Sequence, residues 1–152
     1  MKKLSILVII GIVCITSMVK AGVPDYVICD EGVRYFEKVR YGLNSNLVGI
    51  SEAGRLRYQA EDVISFRRNG RVYERMPVIR NHMETGRYNF MELVAYRNGM
   101  KVFRESPGGI PGRKSHDLIV YKDGKYVVRF DGKNSDNLGR FFFSPDLVAS
   151  DR

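Results

Sequence analysis

The residues that could perform acid–base or metal chemistry are few and scattered. The chain holds 2 histidines among 152 residues, and a histidine-based triad or metal site would have to use His82 or His116. His116 is followed by Asp117, but neighbouring residues of a strand face opposite sides, so this pair is a weak signal. HExxH, paired-cysteine and GxSxG motifs are missing from the sequence. The sequence therefore predicts no catalytic residue, no metal site and no cofactor.

Three glutamates are the remaining candidates for catalysis. Glu37, Glu74 and Glu92 each fall within a strand pattern, on an otherwise largely apolar alternating face. Two such carboxylates brought together could hydrolyse a glycoside. The alternative is that each lies at a sheet rim or pairs with a neighbouring arginine.

The feature most suggestive of binding is a set of alternate positions that combines cations with one aromatic ring. The set consists of Arg34, Phe36, Lys38, Arg40, Arg55 and Arg57. If the two strands that carry it are neighbours, five cations surround a ring and could hold an anionic polymer by charge and stacking. The alternative is a solvated outer face whose lysines and arginines protect the sheet from aggregation.

The first 21 residues have the organisation of a secretory signal. Lys2 and Lys3 precede an apolar run over residues 4–13, and Val19-Lys20-Ala21 forms a cleavage site before Gly22. The run is shorter than the roughly 20 residues that span a bilayer, so cleavage is favoured over a membrane anchor. Lipid attachment at Cys14 is a lesser alternative, because Val13 stands where a lipoprotein signal carries a small residue. We expect an exported protein of the periplasm, the outer envelope or the medium.

Cleavage after residue 21 would change the charge and the cysteine content. It removes three lysines from 25 basic residues and none of the 17 acidic residues, so the net charge falls from +8 to +5. Cys29 becomes the only cysteine, which excludes an internal disulfide and favours a small buried apolar role. We predict one β-rich domain over residues 22–143 and a flexible tail over 144–152.

Three turn signals divide the rest of the chain into hairpins. Asn69-Gly70, Asn98-Gly99 and Asp123-Gly124 are flanked by alternating apolar residues, and their turn type needs positive φ at both central positions. In the first half we predict strands at 33–41, 47–50, 55–60, 63–68 and 71–76, with a corner at 60–62. This order is expected of a small SH3-like or Sm-like barrel.

The second half predicts further antiparallel strands. Both alternating sets of residues 88–96 are rich in apolar side chains, which indicates a central strand covered on both faces. Further strands are predicted at 100–104, 117–121 and 126–130, and an exposed loop at 106–115. Asn134 or Ser135 could cap a short helix that ends near Phe142, with residues 141–143 packed on the sheet. The fold class is mainly all-β: a bent sheet or small barrel of antiparallel hairpins with one short C-terminal helix.

Four segments resemble small exported β-rich proteins of unknown function from Bacteroides-type bacteria. They are residues 61–66 (EDVISF), 69–77 (NGRVYERMP), 90–99 (FMELVAYRNG) and 120–125 (VYKDGK). The resemblance implies a β-rich domain in the envelope or outside the cell. It implies no reaction.

Three classes of function follow. The preferred hypothesis is an exported, non-catalytic β-domain that recognises an envelope or extracellular partner, either a protein or an anionic polymer. The second is an Sm-like nucleic-acid-binding module, which the export signal disfavours. The third is a hydrolase that uses the strand carboxylates.

Overall fold

The structure, a computed structural model, describes residues 22–42, 46–106, 110–111 and 117–132. These residues form antiparallel β-strands and a single turn of 3-10 helix, as the predicted all-β class requires. The strands are β1 (Asp25–Cys29), β2 (Gly32–Phe36), β3 (Lys38–Tyr41), β4 (Leu47–Ser51), β5 (Gly54–Tyr58), β6 (Val63–Arg68), β7 (Arg71–Arg80), β8 (Met83–Arg97), β9 (Met100–Arg104), β10 (Leu118–Lys122) and β11 (Lys125–Phe130). The predicted signal, C-terminal helix and tail lie outside the described residues, as does most of the predicted loop at 106–115.

The strands form two sheets. Eight strands have the order β11-β10-β9-β8-β7-β6-β1-β2, and three have the order β3-β4-β5. The described strands do not close into a barrel, so the bent-sheet form of the prediction applies. The 3-10 helix at Ala60–Asp62 occupies the predicted corner before β6. Among the described residues, no helix has the length and apolar character needed to cross a bilayer.

The three predicted hairpin turns are confirmed by their backbone angles. Asn69, Asn98 and Asp123 have φ of 51°, 49° and 50°, and the glycine that follows each has φ between 76° and 80°. A fourth turn of this kind was missed: Asn81 and His82, with φ of 50° and 62°, join β7 to β8. At this turn histidine occupies the position where the other three turns have glycine, so the Asn-Gly or Asp-Gly signal that predicts a hairpin is absent there.

The predicted strand at 33–41 is wrong as one continuous element. It breaks at Glu37 into β2, which pairs with β1, and β3, which pairs with β4. Phe36 is buried on one side of the break and Val39 on the other, so the inward-facing positions shift from even to odd residues. A single extra residue at Glu37 thus reverses which side chains of this segment face the core.

A bare glycine backbone makes room for the ring at this break. Phe36 packs in the first core cluster, which lies between the two sheets and includes Val39, Leu47 and Phe66. A Cβ added at Gly49 of β4 would lie 2.5 Å from two atoms of the Phe36 ring. Only glycine therefore allows the ring to fill the space beneath β4.

A buried carboxylate joins the start of β1 to its neighbours. Asp25 is 6% exposed, and its oxygens accept hydrogen bonds from the Val39 N–H at 2.9 Å and the Asn69 N–H at 3.0 Å. Burial of a carboxylate is tolerated where backbone donors replace water. These two bonds connect β1 to β3 and to the β6–β7 turn.

The second core cluster lies under the outer part of the β7–β8 hairpin. Met76 and Ile79 of β7 pack with Phe103, Ile119 and Tyr121 of the β9–β10 pair. The Tyr121 hydroxyl donates to the Pro77 carbonyl at 2.8 Å, and burial raises the pKa of Tyr121. The hairpin therefore folds back over its own sheet.

The strand predicted at 71–76 ended just before Pro77, which has no N–H to donate to a neighbouring strand. In the structure β7 continues to Arg80, because its pairing with β8 extends that far. Its pairing with β6 ends earlier, at Glu74. At Pro77 the missing N–H removes no bond to β6, and the register with β8 shifts between Pro77 and Ile79. Proline is tolerated at such a strand edge or bulge.

The predicted central strand at 88–96 is only partly correct. It forms part of β8, an interior strand of the sheet, but Tyr88, Val94 and Tyr96 are exposed. Adjacent buried residues, which show that both faces are covered, occur in β8 at Phe90 and Met91, in β9 at Val102 and Phe103, and in β10 at Ile119 and Val120. The predicted two-sided burial of β8 is therefore confined to the middle of the strand.

We predict that Gly49→Ala lowers the free energy of unfolding by about 1–3 kcal/mol, because the new methyl group overlaps the Phe36 ring. Urea denaturation measures this change. Gly22→Ala is the control, since a Cβ there meets nothing within 4 Å. Combining Gly49→Ala with Phe36→Leu should cost less than the sum of the single changes. Equal stabilities of the two alanine variants would contradict the packing described.

A pair of tyrosines tests the hydrogen-bond assignment. The Tyr58 hydroxyl is buried without a partner among the described residues, whereas the Tyr121 hydroxyl is bonded to Pro77. Tyr121→Phe should lower the free energy of unfolding by about 1 kcal/mol, and Tyr58→Phe should raise it by a similar amount. Thermal and urea unfolding of both variants give the signs, and a loss of stability in Tyr58→Phe would show that its hydroxyl is satisfied.

Candidate functional site

The three-stranded sheet brings four of the predicted cations onto one outer face. The register aligns Lys38 and Arg55 across Ile50, and it aligns Arg40 and Arg57 across Val48. All four cations are exposed, and the two aliphatic residues between them are half-buried. We call these six residues the basic face.

The geometry of the basic face follows from the sheet itself. Adjacent strands lie about 4.8 Å apart and residues rise about 3.4 Å along a strand, so the four cation positions form a rectangle of about 10 by 7 Å. The central β4 contributes only Val48 and Ile50 to it. The face is therefore a short apolar strip with a pair of positive charges on each side.

The cations of the basic face can be compared with the ion-paired basic residues of the structure. Among the described residues, none of the four has a carboxylate partner. In the eight-stranded sheet, by contrast, Lys101 lies 2.8 Å from Glu74 and Arg129 lies 2.7 Å from Asp117. Other exposed cations, such as Arg80, Arg87 and Lys125, also have no carboxylate partner among the described residues. The basic face is distinguished by its arrangement, because two edge strands place four such charges around an apolar centre, which favours recognition of an external anion.

Two members of the predicted set lie elsewhere. Phe36 is 5% exposed and belongs to the core, so the aromatic ring expected at the centre of the patch is absent from it. Arg34 is in β2, before the Glu37 break, whereas the basic face lies after it. In the ladder Arg34 lies opposite buried Val27 of β1, and its side chain lies 3.6 Å from Glu31. The prediction failed for these two because it assumed unbroken alternation along residues 33–41. Val48 and Ile50 were missed because a short apolar strand signals burial rather than a surface centre.

The three candidate carboxylates do not converge. Glu74 pairs with Lys101, whereas Glu92 lies 3.3 Å from Arg104 and 3.5 Å from Arg71. Glu92 lies opposite Tyr73 in the ladder, so Glu74 and Glu92 are on opposite faces of the sheet. Glu37 is exposed at the break between β2 and β3. The alternative of pairing with an arginine describes Glu92, whereas Glu74 pairs with a lysine.

A polar cleft of about 870 Å³ lies between the tip of the β7–β8 hairpin and β10–β11. His82 places its Nδ1 3.1 Å from the Tyr126 hydroxyl at one end. At the other end Arg129 lies 2.8 Å from Glu105 and 2.7 Å from Asp117. Burial opposes the charge of Arg129, but these carboxylates raise its pKa overall. The polar groups of the cleft thus mainly satisfy one another. His116 lies outside the described residues.

Cys29 has the character of a packing residue. It is half-buried and contacts the first core cluster. Burial, followed by the charges of Asp62 and Glu31, raises the pKa of the Cys29 thiol, which disfavours the reactive thiolate. Among the described residues, no group of three metal-binding side chains is placed to hold an ion.

Comparison with known proteins leaves these local features as the basis for a functional assignment. The chain matches no protein-family model, no curated protein and no solved structure.

Proposed function

We propose that this protein is an exported, non-catalytic β-domain that binds an anionic polymer of the cell envelope or its surroundings through the basic face. The observation that supports this most directly is the alignment of four unpaired cations about Val48 and Ile50. A polymer with regularly spaced negative charges could contact both cation pairs at once while its apolar parts cover the aliphatic strip.

The proposal includes an SH3-like or Sm-like arrangement of residues 22–68. Its support is the order of elements: a hairpin of β1 and β2, a strand that bends at Glu37, a second hairpin of β4 and β5, and the 3-10 helix before β6. The last strand of this series pairs with the first, since Val27 of β1 lies opposite Phe66 of β6. Such small folds serve many functions, so the arrangement supports a binding scaffold and no particular ligand.

Nucleic acid is the principal alternative ligand for a basic face. Recognition of single strands commonly uses aromatic side chains on which bases stack. The basic face contains aliphatic residues at its centre, and the ring of Phe36 is in the core. This favours a polymer held by charge over one held by stacked bases.

The hydrolase alternative has less support. It needs two carboxylates on one side of a cleft, about 5–9 Å apart. Glu74 and Glu92 face opposite sides of the sheet and each is neutralised by a cation. We therefore assign these residues to the stability of the sheet.

Export is the first testable part of the proposal. We expect the protein outside the cytoplasm, with a mature N-terminus at Gly22 and without residues 1–21. Cell fractionation followed by mass spectrometry of the intact chain measures both. A soluble cytoplasmic product that retains Met1 would contradict export, and a lipid-modified Cys14 would replace cleavage before Gly22.

The basic face is tested with dextran sulfate as an anionic polymer and neutral dextran as its uncharged counterpart. Arg55→Gln with Arg57→Gln should weaken binding to dextran sulfate by about tenfold at low salt, and should reduce the slope of log affinity against log salt by about two. Titration calorimetry at several salt concentrations gives both quantities. Neutral dextran should not bind.

The matched control is Arg87→Gln with Lys125→Gln, which removes the same charge from exposed positions of β8 and β11. It should retain the affinity of the unaltered chain. An equal loss in both double variants would mean that overall charge, rather than the basic face, determines binding. Tighter binding of single-stranded DNA than of dextran sulfate would favour the nucleic-acid alternative.

A further inference from the structure

The outer edge of β2 carries backbone groups that are available to another strand. Among the described strands, β2 ends the eight-stranded sheet and pairs with β1 alone. The turn at residues 30–31 is closed by the Cys29–Gly32 pair, so Gly32, Arg34 and Phe36 direct their backbone groups toward β1. Val33 and Tyr35 therefore direct theirs outward. Glu37 follows Val33 and Tyr35 in this alternation. Its N–H also points away from β1, since it donates to the Ile50 carbonyl of β4 at 3.0 Å.

The side chains along this edge are apolar and exposed. Val33 is 48% exposed and Tyr35 is 66% exposed. Natural sheet edges are commonly protected by lysine, proline or a bulge. The only charged residue of β2 is Arg34, which lies near Glu31. The edge is thus poorly protected against a further strand.

A groove of about 400 Å³ lies next to this edge, between the β1–β2 turn and the end of β5. Leu56 on its wall is 45% exposed, and Tyr58 also lines the groove. The groove therefore offers apolar contact to an incoming side chain.

The charges at the turn end of the groove indicate what would occupy it. Asp30, Glu31 and Asp62 line this end. Glu31 lies near Arg34, whereas Asp30 and Asp62 have no cationic partner among the described residues. A lysine or arginine of an incoming segment would complement these two carboxylates.

We propose that the β2 edge is a docking site for an extended segment of a protein partner, which adds to the sheet as a further strand. Its backbone pairs with Val33 and Tyr35, its alternate side chains enter the groove beside Leu56 and Tyr58, and a basic residue lies beside Asp30 and Asp62. This site adjoins the basic face, since Arg57 also lines the groove, but the proposal does not depend on the function proposed for that face.

A second copy of the chain is a less suitable occupant. In the register centred on Arg34, which uses the outward groups of both Val33 and Tyr35, antiparallel pairing of β2 with its copy would place two guanidinium groups opposite each other. Like charges directly opposite each other destabilise a sheet. The partner segment is therefore expected to come from another protein.

The test uses a fluorescent peptide of alternating valine and threonine that ends in a lysine pair. Fluorescence anisotropy should show binding to the unaltered chain, and hydrogen exchange at the Val33 and Tyr35 amides should slow by about tenfold when the peptide is bound. Tyr35→Pro removes an outward N–H without removing a bond to β1, so it should weaken binding by about tenfold. Tyr35→Thr loses the same ring but keeps the N–H, and it should bind more tightly than Tyr35→Pro.

Two peptide controls keep the test decisive if Tyr35→Pro fails to fold. A peptide with N-methyl groups on alternate backbone amides cannot form the ladder and should not bind the unaltered chain. Replacing its lysine pair by glutamate should weaken binding through repulsion by Asp30 and Asp62. Absence of binding to the parent peptide, or equal binding of the N-methylated form, would overturn the proposal. So would a concentration-dependent dimer that protects the same two amides without peptide.

Discussion

The contact between the Phe36 ring and the bare backbone of Gly49 is the constraint on which the rest of the first half depends. The ring can enter the core only because β4 carries no side chain at that position. Its burial fixes the break at Glu37, and the extra residue there turns Val39 inward and Lys38 outward. Because side chains alternate along a strand, this one reversal decides which cations share a surface. The basic face is thus a consequence of core packing.

The same break also leaves the β2 edge unpaired. β4 pairs with β3, and beyond β3 the Glu37 N–H still donates a hydrogen bond to the Ile50 carbonyl of β4. Beyond this point β4 turns into β5, so none of the described strands continues along Val33 and Tyr35. A small fold with a bent strand therefore has two kinds of recognition surface close together: a sheet face that carries charge and a sheet edge that carries backbone groups. The two surfaces suit ligands of different chemistry.

Burial in the second half depends on the long β7–β8 hairpin. Its outer part covers the β9–β10 pair, and the bond from Tyr121 to the Pro77 carbonyl holds it there. The alternation of β8 predicted a strand and its interior position but not its exposure, because exposure depends on where the hairpin bends. The short β1 was not predicted at all. Its first residue is a buried aspartate, whose burial requires the distant N–H groups of Val39 and Asn69.

The sequence by itself determined the local features of this protein. Asn-Gly and Asp-Gly pairs adopt positive φ at little cost, so three hairpins and their strands could be located, and the corner at residues 60–62 followed from the interruption of alternation. Only the tertiary structure decided which faces and edges remain available. Contacts between residues distant in sequence produce the break at Glu37 and the bend of the β7–β8 hairpin over its own sheet. Such contacts also decide that Glu74 pairs with Lys101 and Glu92 with Arg104. Periodicity along the chain does not encode them.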